Sequence, residues 1–171
     1  MSATEYSDRH PDPVPGRPNM PASYGIHDTP DPDALDWSEV SARVASARNY
    51  WVTTVRPDGR PHAVPVWGVW LEETFYFATD RSSRKGRNLA ANPALVVHLE
   101  SGDEVVILEG TAEEITDPSL LARFVEAYDA KYQIRPDAGN PAHVVYALRP
   151  RVVHSWLERD FPGTAVRWVF E

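Results

Sequence analysis

From Tyr50 onward the chain alternates apolar and polar residues with a period of two over most of its length, and the alternation is broken by two stretches at helical spacing. Tyr50–Arg56 is rich in β-branched and aromatic residues and runs into Pro57-Asp58-Gly59-Arg60, a turn in which proline fixes φ and glycine supplies a positive φ. The return strand, His62–Leu71, contains Pro65 and Gly68, which weaken ladder pairing and mark an edge, a bulge or a close backbone approach by a ligand. Glu72-Glu73 turns the chain into Thr74–Thr79, so three antiparallel strands are expected as a meander leading into the segment after Thr79. Ala94–Glu100 and Glu104–Glu113 read as a second hairpin across Ser101-Gly102-Asp103. His143–Leu148 and Arg151–Glu158 read as two strands divided by Arg149-Pro150, and Thr164–Phe170 as the last.

Three helices accompany these strands. Asp36 and Glu39 have the spacing of a capping box, and Trp37, Val40, Val44 and Ala47 follow on one face, which predicts a helix over about 36–48 lying as a lid on one end of a sheet. A second helix is expected at about 84–91, ending at Asn92-Pro93. Thr116-Asp117-Pro118 starts a third, whose Leu120, Leu121, Phe124, Val125 and Tyr128 form an apolar face running toward Tyr132. The stretch before the first helix, residues 1–33, carries seven of the sixteen prolines without apolar periodicity and reads as an extended or disordered arm, which Tyr24 and Ile26 can tack onto the body or onto a second subunit. The expected fold of residues 34–171 is mainly β, of the α+β class, with about eight antiparallel strands closed into a small barrel that removes their free edges.

Composition narrows the chemistry. At 171 residues the chain is long enough for one domain with a substantial core. No cysteine is present, which excludes disulfides, thiolate nucleophiles and Cys-ligated metal sites. Met1–His10 is polar, and the longest apolar-rich run, Ala63–Leu71, is far short of the roughly 20 residues a membrane span needs, so a soluble cytoplasmic protein is expected. A formal net charge of −8 disfavours nucleic acid and anionic membranes as main partners. Against that acidic background Arg81-Ser82-Ser83-Arg84-Lys85-Gly86-Arg87 places four cations and two hydroxyls in seven residues, where a strand hands over to a helix with unpaired N–H groups. That cluster suits a small anion such as a phosphate; alternatively its charges only solvate a tight loop. His98 and His154 lie on strand patterns and read as structural, as does His62 at the mouth of its strand, and no metal site is expected.

The combination Arg56-Pro57-Asp58-Gly59-Arg60-Pro61, Val64-Pro65-Val66-Trp67, Phe77-Ala78-Thr79, Ser83-Arg84-Lys85 and Asn88-Leu89-x-x-Asn92-Pro93 resembles the pyridoxamine 5′-phosphate oxidase-like family of flavin- and deazaflavin-binding split β-barrels over roughly 50–170. The resemblance implies that Thr79, Ser83, Arg84 and Lys85, with Ala78 beside them, hold the phosphate of FMN or coenzyme F420. It implies that Val64, Pro65, Val66 and Trp67 run along the cofactor ring, and that Trp156 and Arg167 complete the site across a homodimer. Where the vitamin B6 oxidases carry arginine and lysine on the ring-facing strand this chain has Val64 and Val69, and Glu104 stands near their glutamine, so the vitamin B6 substrate is not carried over. Arg56, Arg60, Arg81 and Arg87 are candidates for the basic groove that the acidic tail of F420 needs.

The expectation is therefore an FMN- or F420-dependent oxidoreductase transferring a hydride to or from a small organic substrate, with no catalytic side chain assigned because the cofactor carries the chemistry. A non-catalytic flavin, F420 or haem carrier on the same barrel, and an interaction protein whose basic loop meets an acidic partner, are the other two readings.

Overall fold

In the computed structural model, which describes residues 12–171, the period-two segments form strands and the helical segments form helices almost where the pattern puts them. In chain order the strands are β1 (Val14–Gly16), β2 (Tyr50–Val55), β3 (Pro61–Val66), β4 (Val69–Leu71), β5 (Thr74–Asp80), β6 (Ala94–His98), β7 (Glu104–Glu114), β8 (His143–Leu157) and β9 (Val166–Val169). The helices are α1 (Trp37–Ser46), α2 (Arg84–Ala91), α3 (Pro118–Tyr132) and the single turn α4 (Phe161–Thr164).

All pairings are antiparallel, and they close a ring. β2 pairs with β3 and β6, β6 with β7, β7 with β8, β8 with β5 and β5 with β4. Because β3 and β4 are two halves of one bent segment, the ring returns on itself through Trp67-Gly68. This is the expected split barrel, and the return strand expected at 62–71 is divided within it: β3 bonds to β2 and β4 to β5, while β5 finds its second partner in β8, far along the chain. The bend explains the change. A Cβ on Gly68 would lie 2.4 Å from ring carbons of Phe75 and 2.7 Å from the Tyr76 carbonyl oxygen, so glycine lets the backbone press onto β5 there.

β8 also departs from expectation, because it runs unbroken through Arg149-Pro150. Its first half pairs with β5 and its second with β9, leaving Pro150 at the changeover, where a missing N–H costs little. On the other edge Pro150 faces Gly110 beside a bulge in β8, where Arg151 is the extra residue between Pro150 and Val152, and a Cβ on Gly110 would stand 2.6 Å from Leu148 Cδ1.

The barrel interior is filled by Tyr50, Val52, Phe75, Phe77, Leu108 and Leu148, each fully buried. α1 belongs to this core and is more than a lid, since Val40 and Val44 are fully buried in it. Its capping box forms as expected: Glu39 N donates to Asp36 Oδ1 at 2.8 Å and Asp36 N to Glu39 Oε2 at 2.9 Å. α3 covers a second apolar cluster with Phe124 and Tyr132 against Val69 and Val145. Val69 therefore lies in the core beyond the bend and not on the ring-facing strand.

Of the proline-rich stretch 1–33, residues 1–11 lie outside the described residues. From Asp12 onward the rest is laid on the body: β1 pairs with β9, Ala22–Tyr24 makes a 3₁₀ turn, and Ile26 is buried. Tyr24 remains exposed and meets Phe161 edge-on at 6.2 Å. Among the described residues no helix is long and apolar enough to cross a membrane.

Candidate functional site

β5 delivers the chain to the basic segment at Thr79-Asp80. Asp80 Oδ1 accepts from Ser82 N and Ser82 Oγ, both at 2.6 Å, and its carbonyl accepts from Ser83 N at 3.0 Å, which turns the loop sharply. Ser83 then caps α2, its Oγ accepting from Gly86 N at 3.0 Å. A Cβ on Gly86 would sit 2.5 Å from the Asp80 carbonyl oxygen, so the first turn of α2 lies directly on the loop backbone. Fully buried Asn88 anchors the same helix to β2 through Nδ2 to Thr54 Oγ1 at 2.9 Å.

The four cations of the segment divide into two kinds. Arg81 is bound to the Glu114 carboxylate and to the Pro141 carbonyl oxygen at 3.1 Å, and Arg87 Nη1 donates to the Ser82 carbonyl oxygen at 2.5 Å. Among the described residues neither Arg84 nor Lys85 has a hydrogen-bond or ion-pair partner. Lys85 is half-buried, and burial alone holds its ammonium below the usual lysine range. The neighbouring hairpin shares this field: His62 is held below the usual histidine range by burial, then by Arg56, Lys85 and Arg84. Arg56 Nε and His62 Nδ1 are buried atoms without a partner. Thr79 Oγ1 and Ser83 Oγ lie 3.0 Å apart, so one hydroxyl donates to the other and one O–H proton is left to give. Two cations without hydrogen-bond or ion-pair partners among the described residues, a spare hydroxyl donor and the first N–H groups of α2 together form a donor set of the kind that suits a phosphate.

Beside this cluster a cavity of about 450 Å³ opens, lined by Asn49, Pro65, Val66, Trp67, Ala78, Lys85 and Tyr128. Its apolar wall is the end of β3, and α3 holds that end in place. The Trp67 ring stacks on Tyr132 at 4.7 Å with the planes 6° apart, and the Arg48 guanidinium lies 5.4 Å from the Trp67 centroid. At the bend Gly68 N donates to Tyr132 Oη at 3.0 Å, and the Gly68 carbonyl oxygen accepts from Lys131 Nζ at 3.1 Å and lies 2.8 Å from Tyr132 Oη. Lys131 also donates to Tyr50 Oη at 2.7 Å and the Ala45 carbonyl oxygen at 3.2 Å. Backbone groups that a ladder would have paired are thus taken by two side chains of α3.

Of the residues expected at the site, Pro65, Val66, Trp67, Ala78 and Lys85 line this one cavity. Val64 precedes them on β3 opposite Val52, and Thr79, Ser83 and Arg84 adjoin Lys85 along the chain. Trp156 and Arg167 do not line it: Trp156 sits opposite Val105 and packs edge-on against Phe161 at 5.5 Å, and Arg167 sits opposite His154. Of the four arginines considered for a basic groove, Arg60 is paired with Asp58, Arg81 with Glu114 and Arg87 with a backbone carbonyl. Arg56 is left with its Nε unsatisfied. Asn49, Tyr128, Lys131 and Tyr132 were missed. The spacing of Phe124, Tyr128 and Tyr132 puts them on one stripe of α3, and the only sign that this stripe is more than core is that two members carry a hydroxyl.

Residues 37–157 match the family model described as pyridoxamine 5′-phosphate oxidase. A pyridoxine/pyridoxamine 5′-phosphate oxidase 1 from Ralstonia nicotianae is 34% identical over 124 residues, covering 67% of this chain and 54% of that enzyme. The chain spans about half the length, or less, of the curated relatives it matches. Among solved structures, a conserved hypothetical protein from Mycobacterium tuberculosis superposes with a TM-score of 0.66 at 26% identity, covering 77% of this chain and 91% of that one. A protein titled F420 reductase superposes with a TM-score of 0.53 at 26% identity, covering 64% and 92%.

Proposed function

The chain belongs to the pyridoxamine 5′-phosphate oxidase family, and from that premise we propose that it binds FMN or coenzyme F420 and acts as an oxidoreductase on a small organic substrate. The observation that carries the reading is Lys85, a half-buried ammonium with no anion paired to it among the described residues, at the edge of the cavity walled by Pro65, Val66 and Trp67. A cation in that position is disfavoured by burial until a negative group arrives.

In this reading Arg84, Lys85 and the spare proton of the Thr79–Ser83 hydroxyl pair bind the cofactor phosphate. Pro65, Val66 and Trp67 orient the planar ring, and the stacked Trp67–Tyr132 pair keeps water from that wall. When bound, the cofactor supplies hydride transfer with a substrate on its open face. A second copy of the chain would cover the slot, which one barrel leaves open, and would bring Trp156 and Arg167 to it. Arg56 is the cation available for the acidic tail of F420, and the F420 reductase likeness supports that cofactor as the family model supports FMN. A carrier without catalysis is the second reading, because among the described residues Lys85 and Tyr128 are the only titratable groups lining the slot.

Absorbance titration of the chain with FMN, oxidised F420 and riboflavin tests the proposal. One phosphate-bearing cofactor is expected to bind, and riboflavin on the order of tenfold more weakly or worse for want of the charge-assisted contacts. A chain that stays colourless and binds none of the three has another function.

A further inference from the structure

Tyr128 differs from Tyr50 and Tyr132 in what its hydroxyl does. Tyr50 Oη donates to the Val44 carbonyl oxygen at 2.6 Å and accepts from Lys131. Tyr132 Oη accepts from Gly68 N and lies within 2.8 Å of the Gly68 and Arg48 carbonyl oxygens. The Tyr128 hydroxyl has no hydrogen-bond partner among the described residues, although its ring is fixed by Phe124 at 5.4 Å, Tyr132 at 4.7 Å and Trp67 at 6.5 Å. A rigid aromatic body with an uncommitted donor, lining a cavity beside Pro65, Val66 and Trp67, is how a protein fixes the orientation of a planar ligand. The other polar side chains there are Lys85, the Trp67 indole and Asn49, and the Asn49 amide already donates from Nδ2 to Glu100 Oε2 at 3.2 Å.

We propose that Tyr128 is the ring-orienting residue of the site: its phenol donates to an acceptor on the rim of the planar group, a carbonyl oxygen or an imine-type nitrogen. The inference rests on the cofactor reading and adds to it a contact that is independent of the phosphate. Burial and the neighbouring Tyr132 hold the Tyr128 phenol above the ordinary tyrosine range, which keeps it a neutral donor at physiological pH. Such a group selects a hydrogen-bond acceptor on the ring without demanding negative charge.

The test compares Tyr128→Phe and Lys85→Ala with the parent chain, using FMN and riboflavin, or F420 and its phosphate-free deazaflavin riboside. Tyr128→Phe is expected to weaken both members of a pair by the same factor, roughly 3–10-fold, and to shift the visible absorption band of the bound ring. Lys85→Ala is expected to weaken the phosphate-bearing member alone. Because the phenol has no hydrogen-bond partner among the described residues, the thermal midpoint of Tyr128→Phe should equal that of the parent. Unchanged affinities and an unchanged band in Tyr128→Phe overturn this inference and leave the cofactor reading standing. A lowered thermal midpoint also overturns it, since the hydroxyl would then be structural. Failure of the parent to bind any of the four compounds overturns both.

Discussion

Lys85 and Lys131 are both half-buried, both within one turn of a helix end, and both held below the usual lysine range by burial, yet the fold treats them in opposite ways. Lys131 is at the C-terminal end of α3, where the helix dipole is negative, and its three donors meet Ala45, Gly68 and Tyr50 oxygens, with the Tyr50 and Tyr132 rings 4.8 and 5.3 Å away. Lys85 is in the first turn of α2, where the dipole is positive, and has no such partner among the described residues. One ammonium is part of the structure; the other is the one we propose takes an anion from outside. Burial by itself, common to both, does not separate a structural cation from a binding one. The partners do.

The largest effect that would sharpen this contrast is on stability. Lys131→Met keeps the buried stem but removes the donors that join α1, the β3–β4 bend and α3, and it is expected to cost about 2 kcal/mol in urea denaturation. An unchanged midpoint would mean that the three contacts contribute nothing and would erase the difference between the lysines.

A smaller effect follows from titration. Lys131 is pushed down to about 8 in the folded chain, below its value in the unfolded chain. Between the two values the unfolded state binds more protons, so stability climbs as pH rises through that window; Lys85 acts in the same direction. Tyr50 acts in the opposite direction. Burial, then Tyr132, raise its phenol, so the unfolded chain loses that proton first and stability falls once the ordinary tyrosine range is passed. Denaturation midpoints measured from about pH 7 to 11 are expected to rise and then fall, with a smaller rise in Lys131→Met. A rise of the same size in the variant would remove Lys131 from this role.

The same two regions show which parts of the molecule were legible beforehand. The Ser83 cap, the length of α2 and the basic cluster depend on residues a few positions apart, as does the Asp36–Glu39 box on α1, and local spacing carried all of them. The division of the four cations was not legible, because Arg81 is claimed by Glu114, 33 residues away. The α3 side was still less so. Lys131 reaches Gly68 across 63 residues and Tyr50 across 81, and the bend they secure exists because Phe75 and Tyr76 press against Gly68. The continuity of β8 through Pro150 likewise goes with a bulge at Arg151 opposite Gly110, a partner on β7 that no pattern within 143–157 announces. By spacing Tyr128 is one more residue of an apolar stripe, since spacing reports which face a side chain is on and not whether its hydroxyl finds a partner.

The most direct test of the contrast is to measure Lys85→Met for both stability and affinity for the phosphate-bearing cofactor that the parent binds. With no partner to lose and an unfavourable helix end to escape, the variant should be at least as stable as the parent in urea, while affinity falls on the order of tenfold or more. A Lys85→Met chain that is clearly less stable yet binds the cofactor as tightly as the parent would contradict the account.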